Sequence, residues 1–280
     1  MIEPAAVHRA LAALHEHLLG LGSVAVAYSG GVDSTLLLAA AQRALGPRAL
    51  AVFGRSPTVP GGEESAALAL AAALGARVRV VETCEMEDPA FVANGPDRCF
   101  HCKRGLFALV RAVADEEGLA ALLEGSNADD LGDFRPGSRA AREAGALAPL
   151  LELGIHKPMV RAMARALGLP NWDKPAMACL SSRVPYGRPI ARATLARIDA
   201  AERALVALGL GRLRVRDHGD VARLEVDPAE IPRLTAEPLR AQVVEALRAA
   251  GFRYVALDLS GYRTGAMNEV LPATDLRRPL

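Results

Sequence analysis

Val7, Leu11, Leu14 and Leu18 recur at helical spacing, which predicts an amphipathic helix at the start of the chain. Val24-Ala25-Val26-Ala27-Tyr28 then reads as a buried strand. A glycine loop follows, and residues 34–45 read as a helix. The alternation continues with a strand at 49–53, a helix at 63–74, a strand at 77–81, a helix at 102–117 and a short strand at 121–123. Strands alternating with helices predict βαβ units, hence an α/β fold with a doubly wound parallel sheet.

The pattern changes at residues 170–189, which are rich in Pro and include Trp172. Beyond them come a helix at 194–208 and strands at 213–215 and 222–226, joined at His218-Gly219-Asp220. Asp227 followed by Pro228 is a helix start, an N-cap residue with Pro in the first turn. A helix at 238–250 and a strand at 254–258 close the pattern. The expected organisation is a larger domain over residues 1–170 and a smaller α+β domain over 171–280.

Composition narrows the class. Of 280 residues, 51% are hydrophobic and 23% charged, as in a globular protein. The formal net charge of +1 gives no electrostatic footprint for nucleic acid, so no such partner is expected. Residues 65–76, the longest weakly charged stretch, are too short to span a membrane and are Ala-rich, which suits a buried helix. The first twenty residues carry Glu3, Arg9 and Glu16 and lack the basic start and continuous apolar core of a signal peptide. A cytoplasmic location is the expectation. In a reducing compartment, Cys84, Cys99, Cys102 and Cys179 point to metal or redox chemistry more than to a disulfide framework.

The glycine loop carries the first chemistry. Ser29, Gly30, Gly31, Val32, Asp33, Ser34 and Thr35 lie between a strand and a helix. Backbone N–H groups at a helix N-terminus attract anions, and glycines let a phosphate approach. Ser29, Ser34 and Thr35 add hydroxyl donors. Asp33 would repel phosphate, so its expected role is to hold Mg²⁺. No Gly-Lys-Ser/Thr occurs, so this is not a Walker A loop. The motif resembles the pyrophosphate-binding loop of the PP-loop ATP pyrophosphatases, and that resemblance implies ATP cleavage between the α- and β-phosphates with an adenylylated intermediate. Glu124 to Asp130, with Gly125 and Asp129, follow the fourth strand at the sheet edge where ligands of such folds bind. Arg55 and Ser56 follow the second strand at the same edge and are candidates for nucleotide contact, a plain loop being the alternative.

Cys99-Phe100-His101-Cys102-Lys103 is a Cys-x-x-Cys element, and Cys179 lies far downstream. Three thiolates suit a [4Fe–4S] cluster, whose fourth iron is then open to an external sulfide. A Cys₃His zinc site with His101, unliganded thiols and a redox pair are the alternatives. Cys84 is expected as a buried apolar filler.

Taken together the chain resembles the LarE family of ATP-dependent sulfur transferases. The resemblance rests on the glycine loop, Arg55-Ser56-Pro57, Asn127 to Asp130, Arg135-Pro136-Gly137, Trp172-Asp173-Lys174-Pro175, Cys179-Leu180-Ser181-Ser182-Arg183, Pro185-Tyr186-Gly187, Arg214-Val215-Arg216, His218 and Gly261 to Gly265. It implies a small-molecule substrate, pyridinium-3,5-biscarboxylic acid mononucleotide, whose carboxylates are adenylylated and then thiolated on the way to the nickel-pincer nucleotide. It also implies a homo-oligomer. In some members the cysteine matched by Cys179 gives up its own sulfur; in members with a further Cys-x-x-Cys pair, three cysteines hold a [4Fe–4S] cluster carrying sulfide. This chain is similar to the second kind, with Cys99, Cys102 and Cys179 as the implied metal ligands and sulfide or another sulfur donor as partner. Arg214 and Arg216, two apart on a strand and so on one face, would fork onto the substrate phosphate with Ser182 and Arg183. Solvated surface charges are the alternative. Glu202 matches a family acidic position, and Lys103, one of three lysines, stands beside the cysteine pair. A PP-loop tRNA thiolase is the nearest rival function.

Overall fold

The computed structural model describes residues 2–132, 136–263 and 265–272. The motif residues Arg135 and Thr264 lie outside the described residues. The eight strands are β1 (Val24–Tyr28), β2 (Ala49–Arg55), β3 (Arg77–Glu82), β4 (Ala121–Leu123), β5 (Ala146–Leu147), β6 (Leu213–His218), β7 (Val221–Val226) and β8 (Tyr254–Leu257). The helices of the first part are α1 (Pro4–Leu21), α2 (Val32–Leu45), α3 (Glu63–Ala73), α4 (Pro89–Val92), α5 (Arg98–Glu116), α6 (Pro136–Glu143), α7 (Pro149–Glu152) and α8 (Lys157–Ala166). Those of the second part are α9 (Arg192–Ala207), α10 (Ile231–Thr235) and α11 (Leu239–Ala249).

Strands β1 to β5 form one sheet in the order β3-β2-β1-β4-β5, with every neighbouring pair parallel. Successive strand side chains point to opposite faces, and the core divides accordingly. Val24, Val26, Ala49, Ala51, Phe53 and Leu123 pack on one face with residues of α1, α2 and α8. Ala25, Leu50, Val52 and Leu122 pack on the other with residues of α5 and α6. Helices therefore cover both faces, and the fold is the expected doubly wound α/β sheet. Strand order reverses between β1 and β4, so a crevice opens where the loops after these two strands diverge.

The second sheet has the order β6-β7-β8. A two-residue turn makes β6–β7 an antiparallel hairpin, and α11 carries the chain to β8, parallel to β7. Its core is formed by Leu213, Val215, Leu224 and Val226 against Leu205, Val243, Leu247 and Phe252. Between the two sheets lies a third apolar group of Phe91, Leu180, Val184, Ile190, Leu195 and Ile198. Asn94 fastens this junction, since its Nδ2 reaches the carbonyls of Pro185 and Arg188 at 2.8 and 2.9 Å.

Two expectations are corrected. Helix α3, expected to be buried, hides only Ala67 and Ala71; with alanine on every side it needs just one narrow stripe to seat it. Cys84, expected as a core filler, is exposed where β3 ends. The helix expected from residue 102 begins at Arg98, so both cysteines of the pair lie on its opening turns.

Candidate active site

The site is built at the crevice between β1 and β4. Gly30 has φ +72°, and a Cβ there would lie 2.6 Å from Ala67 Cβ, so only glycine fits the turn. Helix α2 then starts at Val32 with no side chain capping it, which leaves its first amides available to an anion. Ser29 and Ser34 face each other, Oγ to Oγ at 3.1 Å, and Ser34 Oγ also donates to the Gly31 carbonyl at 3.2 Å. Val32 turns its side chain into the core, so only its amide serves the loop. Thr35, expected among the hydroxyl donors, is buried on the inner side of the helix. Its Oγ1 accepts from Asn171 Nδ2 at 3.0 Å, and the same amide reaches the Gly30 carbonyl at 3.1 Å.

The loop after β4 comes against the start of α2. A Cβ on Gly125 would lie 3.0 Å from the Ser34 nitrogen, so the absence of a side chain lets the two loops touch. Asn127 Nδ2 donates to Asp33 Oδ1 at 3.1 Å, and Lys157 Nζ is ion-paired with Asp33 Oδ2. Asp129 anchors the segment that carries Lys157: it accepts from the Lys157 backbone at 2.7 Å and bonds His156 Nδ1 at 2.6 Å. The His156 hydrogen bond, then the Lys157 amide, hold the Asp129 carboxyl below its ordinary range. Asp129 thus supports the site and does not line its cavity.

That cavity has a volume of about 360 Å³. Its walls join the nucleotide loop (Ser29, Gly31, Asp33, Ser34) and Gly125 to Cys99 and Lys103 of α5. Ser56 does not line it; its hydroxyl is bonded to Glu85 and to Thr58. Arg55 is likewise held by Glu64 and Glu82, both at 2.6 Å.

The three cysteines share one neighbourhood. Burial pushes the Cys99 thiol up, and negative charge at Cys179 adds to this. Cys102 is pushed up to about 12, chiefly by burial, with Glu85, Cys179 and Cys99 contributing. Mutual destabilisation is what clustered thiolates experience without a cation among them. The donor set therefore fits a cysteine-ligated cluster in kind. Among the described residues no three His, Cys, Asp or Glu side chains are already gathered at metal-binding distance, so binding would require the thiols to close in. His101 is turned to Asp97 and Asp88, 3.3 and 3.7 Å away.

The arginines of the smaller part are placed differently from the phosphate fork expected of them. Arg183 is buried, forks onto Glu202 at 3.0 and 2.8 Å, and spends its third nitrogen on the carbonyls of Ala178 and Cys179. Arg216 is buried, forks onto Glu225 at 2.9 and 2.7 Å, and donates to the Ser182 carbonyl. Glu202 also accepts from the Val215 amide at 2.9 Å, which makes it a brace between α9, β6 and the Cys179 segment. Ser182 Oγ donates back to the Cys179 carbonyl at 2.8 Å. Arg214 remains less committed: it bonds its neighbour's carbonyl and lies 5.1 Å from the Tyr262 ring centroid. Burial lowers its affinity for a proton, and the charges of Arg183 and Arg216 add to this, so an anion beside it would be favoured.

Sequence reading missed Lys157 and Asn171, which complete the nucleotide loop. The scarcity of lysine was the available signal. With only Lys103, Lys157 and Lys174 in the chain, one lines the cavity, one pairs with Asp33 and one pairs with Glu63 at 2.6 Å.

A scan against protein-family models finds no match. The chain is 39% identical to the pyridinium-3,5-bisthiocarboxylic acid mononucleotide synthase of Lactiplantibacillus plantarum, covering 92% of this chain and 94% of that one. It is 42% identical to the uncharacterized protein slr1717 of Synechocystis, over 88% and 92% of the two chains. A partial match, 29% identical over 52% of this chain and 50% of the other, is to a glutamine-hydrolyzing GMP synthase of Methanopyrus kandleri. Likeness at 39% identity over nearly the whole length of the synthase, joined to the loop geometry above, establishes that the chain belongs to the pyridinium-3,5-bisthiocarboxylic acid mononucleotide synthase (LarE) family.

Proposed function

We propose that this protein is an ATP-dependent sulfur transferase that converts the carboxylates of pyridinium-3,5-biscarboxylic acid mononucleotide to thiocarboxylates for nickel-pincer nucleotide biosynthesis. The observation that carries the reading is the cavity that joins the amide-lined start of α2 to Cys99. ATP phosphates dock at the first amides of α2, with Ser29 and Ser34 as hydroxyl donors. A substrate carboxylate oxygen attacks the α-phosphorus and pyrophosphate leaves. Hydrosulfide then adds to the carbonyl carbon, AMP departs with the bonding electrons, and a proton is released. Activation is needed because a carboxylate oxygen is a poor leaving group and AMP a good one.

Asp33, with Ser34 beside it, would hold Mg²⁺, which when bound bridges phosphate oxygens and offsets their charge. Asp33 is then traded from Lys157 to the ion, and Lys157 is released toward the phosphates. Cys99, Cys102 and Cys179 are the residues that would hold a [4Fe–4S] cluster, whose chemistry is to keep sulfide reduced and deliverable. Arg214 is the best-placed cation for the substrate phosphate. In this reading Arg183, Arg216, Ser182 and Glu202 keep Arg214 and Cys179 in position.

The test is an anaerobic assay with ATP, Mg²⁺, the pyridinium substrate and sulfide, following pyrophosphate and the product mass. Thiocarboxylate formation with an intact Cys179 is the expected result. Intact protein that has lost one H₂S equivalent after turnover would replace the cluster with sacrifice of Cys179, and tRNA-dependent pyrophosphate release would replace the substrate.

A further inference from the structure

Three arginines are buried to a similar degree, with Arg98, Arg183 and Arg216 at 4%, 1% and 5% exposure. Arg183 is answered by Glu202 and Arg216 by Glu225. Arg98 has no carboxylate partner among the described residues. Its Nη1 donates to the amide oxygen of Asn94, its guanidinium carbon lies 4.3 Å from the Tyr186 ring centroid, and its buried Nε has no hydrogen-bond partner. Asn94 is itself fixed by three bonds to the 184–188 loop, so it holds the arginine without neutralising it. A guanidinium cannot shed its proton, and a buried charge without a counter-charge is strongly unfavourable. Something anionic is missing from the partners of Arg98.

What surrounds Arg98 says what that anion is. Its side chain reaches the Cys99 sulfur, and it opposes the burial and the Cys179 charge that push that thiol up. The Tyr186 hydroxyl, pushed up first by burial, feels Arg98, Cys99 and Cys179 together. Two thiols, an aromatic ring and one guanidinium thus enclose a small volume beside the cavity that Cys99 lines. Sulfur and aromatic walls are polarizable and poorly hydrating, which suits a soft anion over a strongly hydrated one such as phosphate.

We propose that Arg98 is the fixed counter-charge of a subsite for a small sulfur anion of the hydrosulfide class, lying between Cys99, Cys179 and Tyr186. The proposal rests on the sulfur-transfer reading for its biological use. It gives the incoming sulfur a place next to the adenylylated carboxylate, and it assigns a role to a residue that touches neither nucleotide loop nor substrate phosphate.

The experiment uses the full metal-free protein and compares alkylation of Cys99 and Cys179 by anionic iodoacetate and by neutral iodoacetamide, read by peptide mass spectrometry. The ratio of the two rates cancels the thiolate fraction and reports only the local potential. Arg98→Met should lower the iodoacetate preference about five-fold, the effect of a unit charge about 4 Å away in water. Arg98→Lys should keep most of it. In the wild-type protein thiocyanate should slow iodoacetamide labelling of Cys99 saturably, whereas chloride and phosphate at equal ionic strength should not. An unchanged ratio in folded Arg98→Met protein overturns the proposal, and so does labelling indifferent to thiocyanate; if Arg98→Met does not fold, the thiocyanate arm decides alone. Neither arm contains ATP or the pyridinium substrate, so failure here is distinguishable from failure to release pyrophosphate.

Discussion

The nucleotide end of the large sheet and the arginine-bearing face of the small sheet treat charge in opposite ways. At the first, Asp33 and Lys157 form an ion pair whose side chains are 22% and 28% exposed, and Asp129 and His156 are more open still. At the second, Arg183–Glu202 and Arg216–Glu225 are buried and doubly bonded. A partly solvated pair is weak, so an incoming phosphate or cation can displace it. A buried pair is fixed, because removing one partner strands the other without water. The residues that read as a phosphate fork therefore build a frame, while the reactive end keeps partners it can exchange.

The largest effect that would break this contrast is at the buried pair. Glu225→Ala should lower the unfolding free energy by about 3–5 kcal/mol, the range for a stranded buried charge, measured by urea denaturation. A loss below about 1 kcal/mol would mean that Arg216 reaches water and is no frame. Next comes the loop that the exchangeable pair serves. Gly30→Ala forces a left-handed φ and a clash with Ala67, which should cost about 1–3 kcal/mol and abolish pyrophosphate release. A variant that keeps full activity would show that α2 does not need this turn. Lys157→Ala sharpens the comparison: stability should shift by less than about 1 kcal/mol while pyrophosphate release falls sharply. Loss of stability as large as for Glu225→Ala would erase the distinction.

The smallest effect is a pH dependence. His218, at the end of β6, has its proton affinity lowered by burial and then by Arg223 and Arg188. Its folded value lies below its unfolded one near 6.5, so the unfolded chain takes up the proton first and stability falls as pH drops through that window. His218→Gln should flatten the urea midpoint between about pH 7.5 and pH 5.5 relative to the parent. An unchanged slope would locate the acid sensitivity elsewhere.

Much of the fold could be read along the chain, because strands β1 to β4 are continuous apolar runs separated by helices with clear ends. The two-residue β5 and the helices α6, α7 and α8 could not be, since β5 is too short to show a period and owes its pairing to β4. The nucleotide loop was legible from Gly30, Gly31 and Asp33, whose types have few other uses side by side. Lys157 was not, because its link to Asp33 spans 124 residues and depends on Asp129 holding the turn before α8. Arg183 and Arg216 were found but given the wrong neighbours. Spacing on a strand fixes a face, whereas the burial of Glu202 and Glu225 against them depends on how α9 and β7 meet β6.

The most direct measurement is pyrophosphate release by the purified chain supplied with ATP, Mg²⁺ and pyridinium-3,5-biscarboxylic acid mononucleotide, without any sulfur source. Substrate-dependent pyrophosphate, with the adenylylated carboxylate detectable by mass and both signals lost in Asp33→Asn, is the predicted outcome. Release of phosphate and ADP in its place, or no cleavage with the substrate present, would contradict activation at the start of α2.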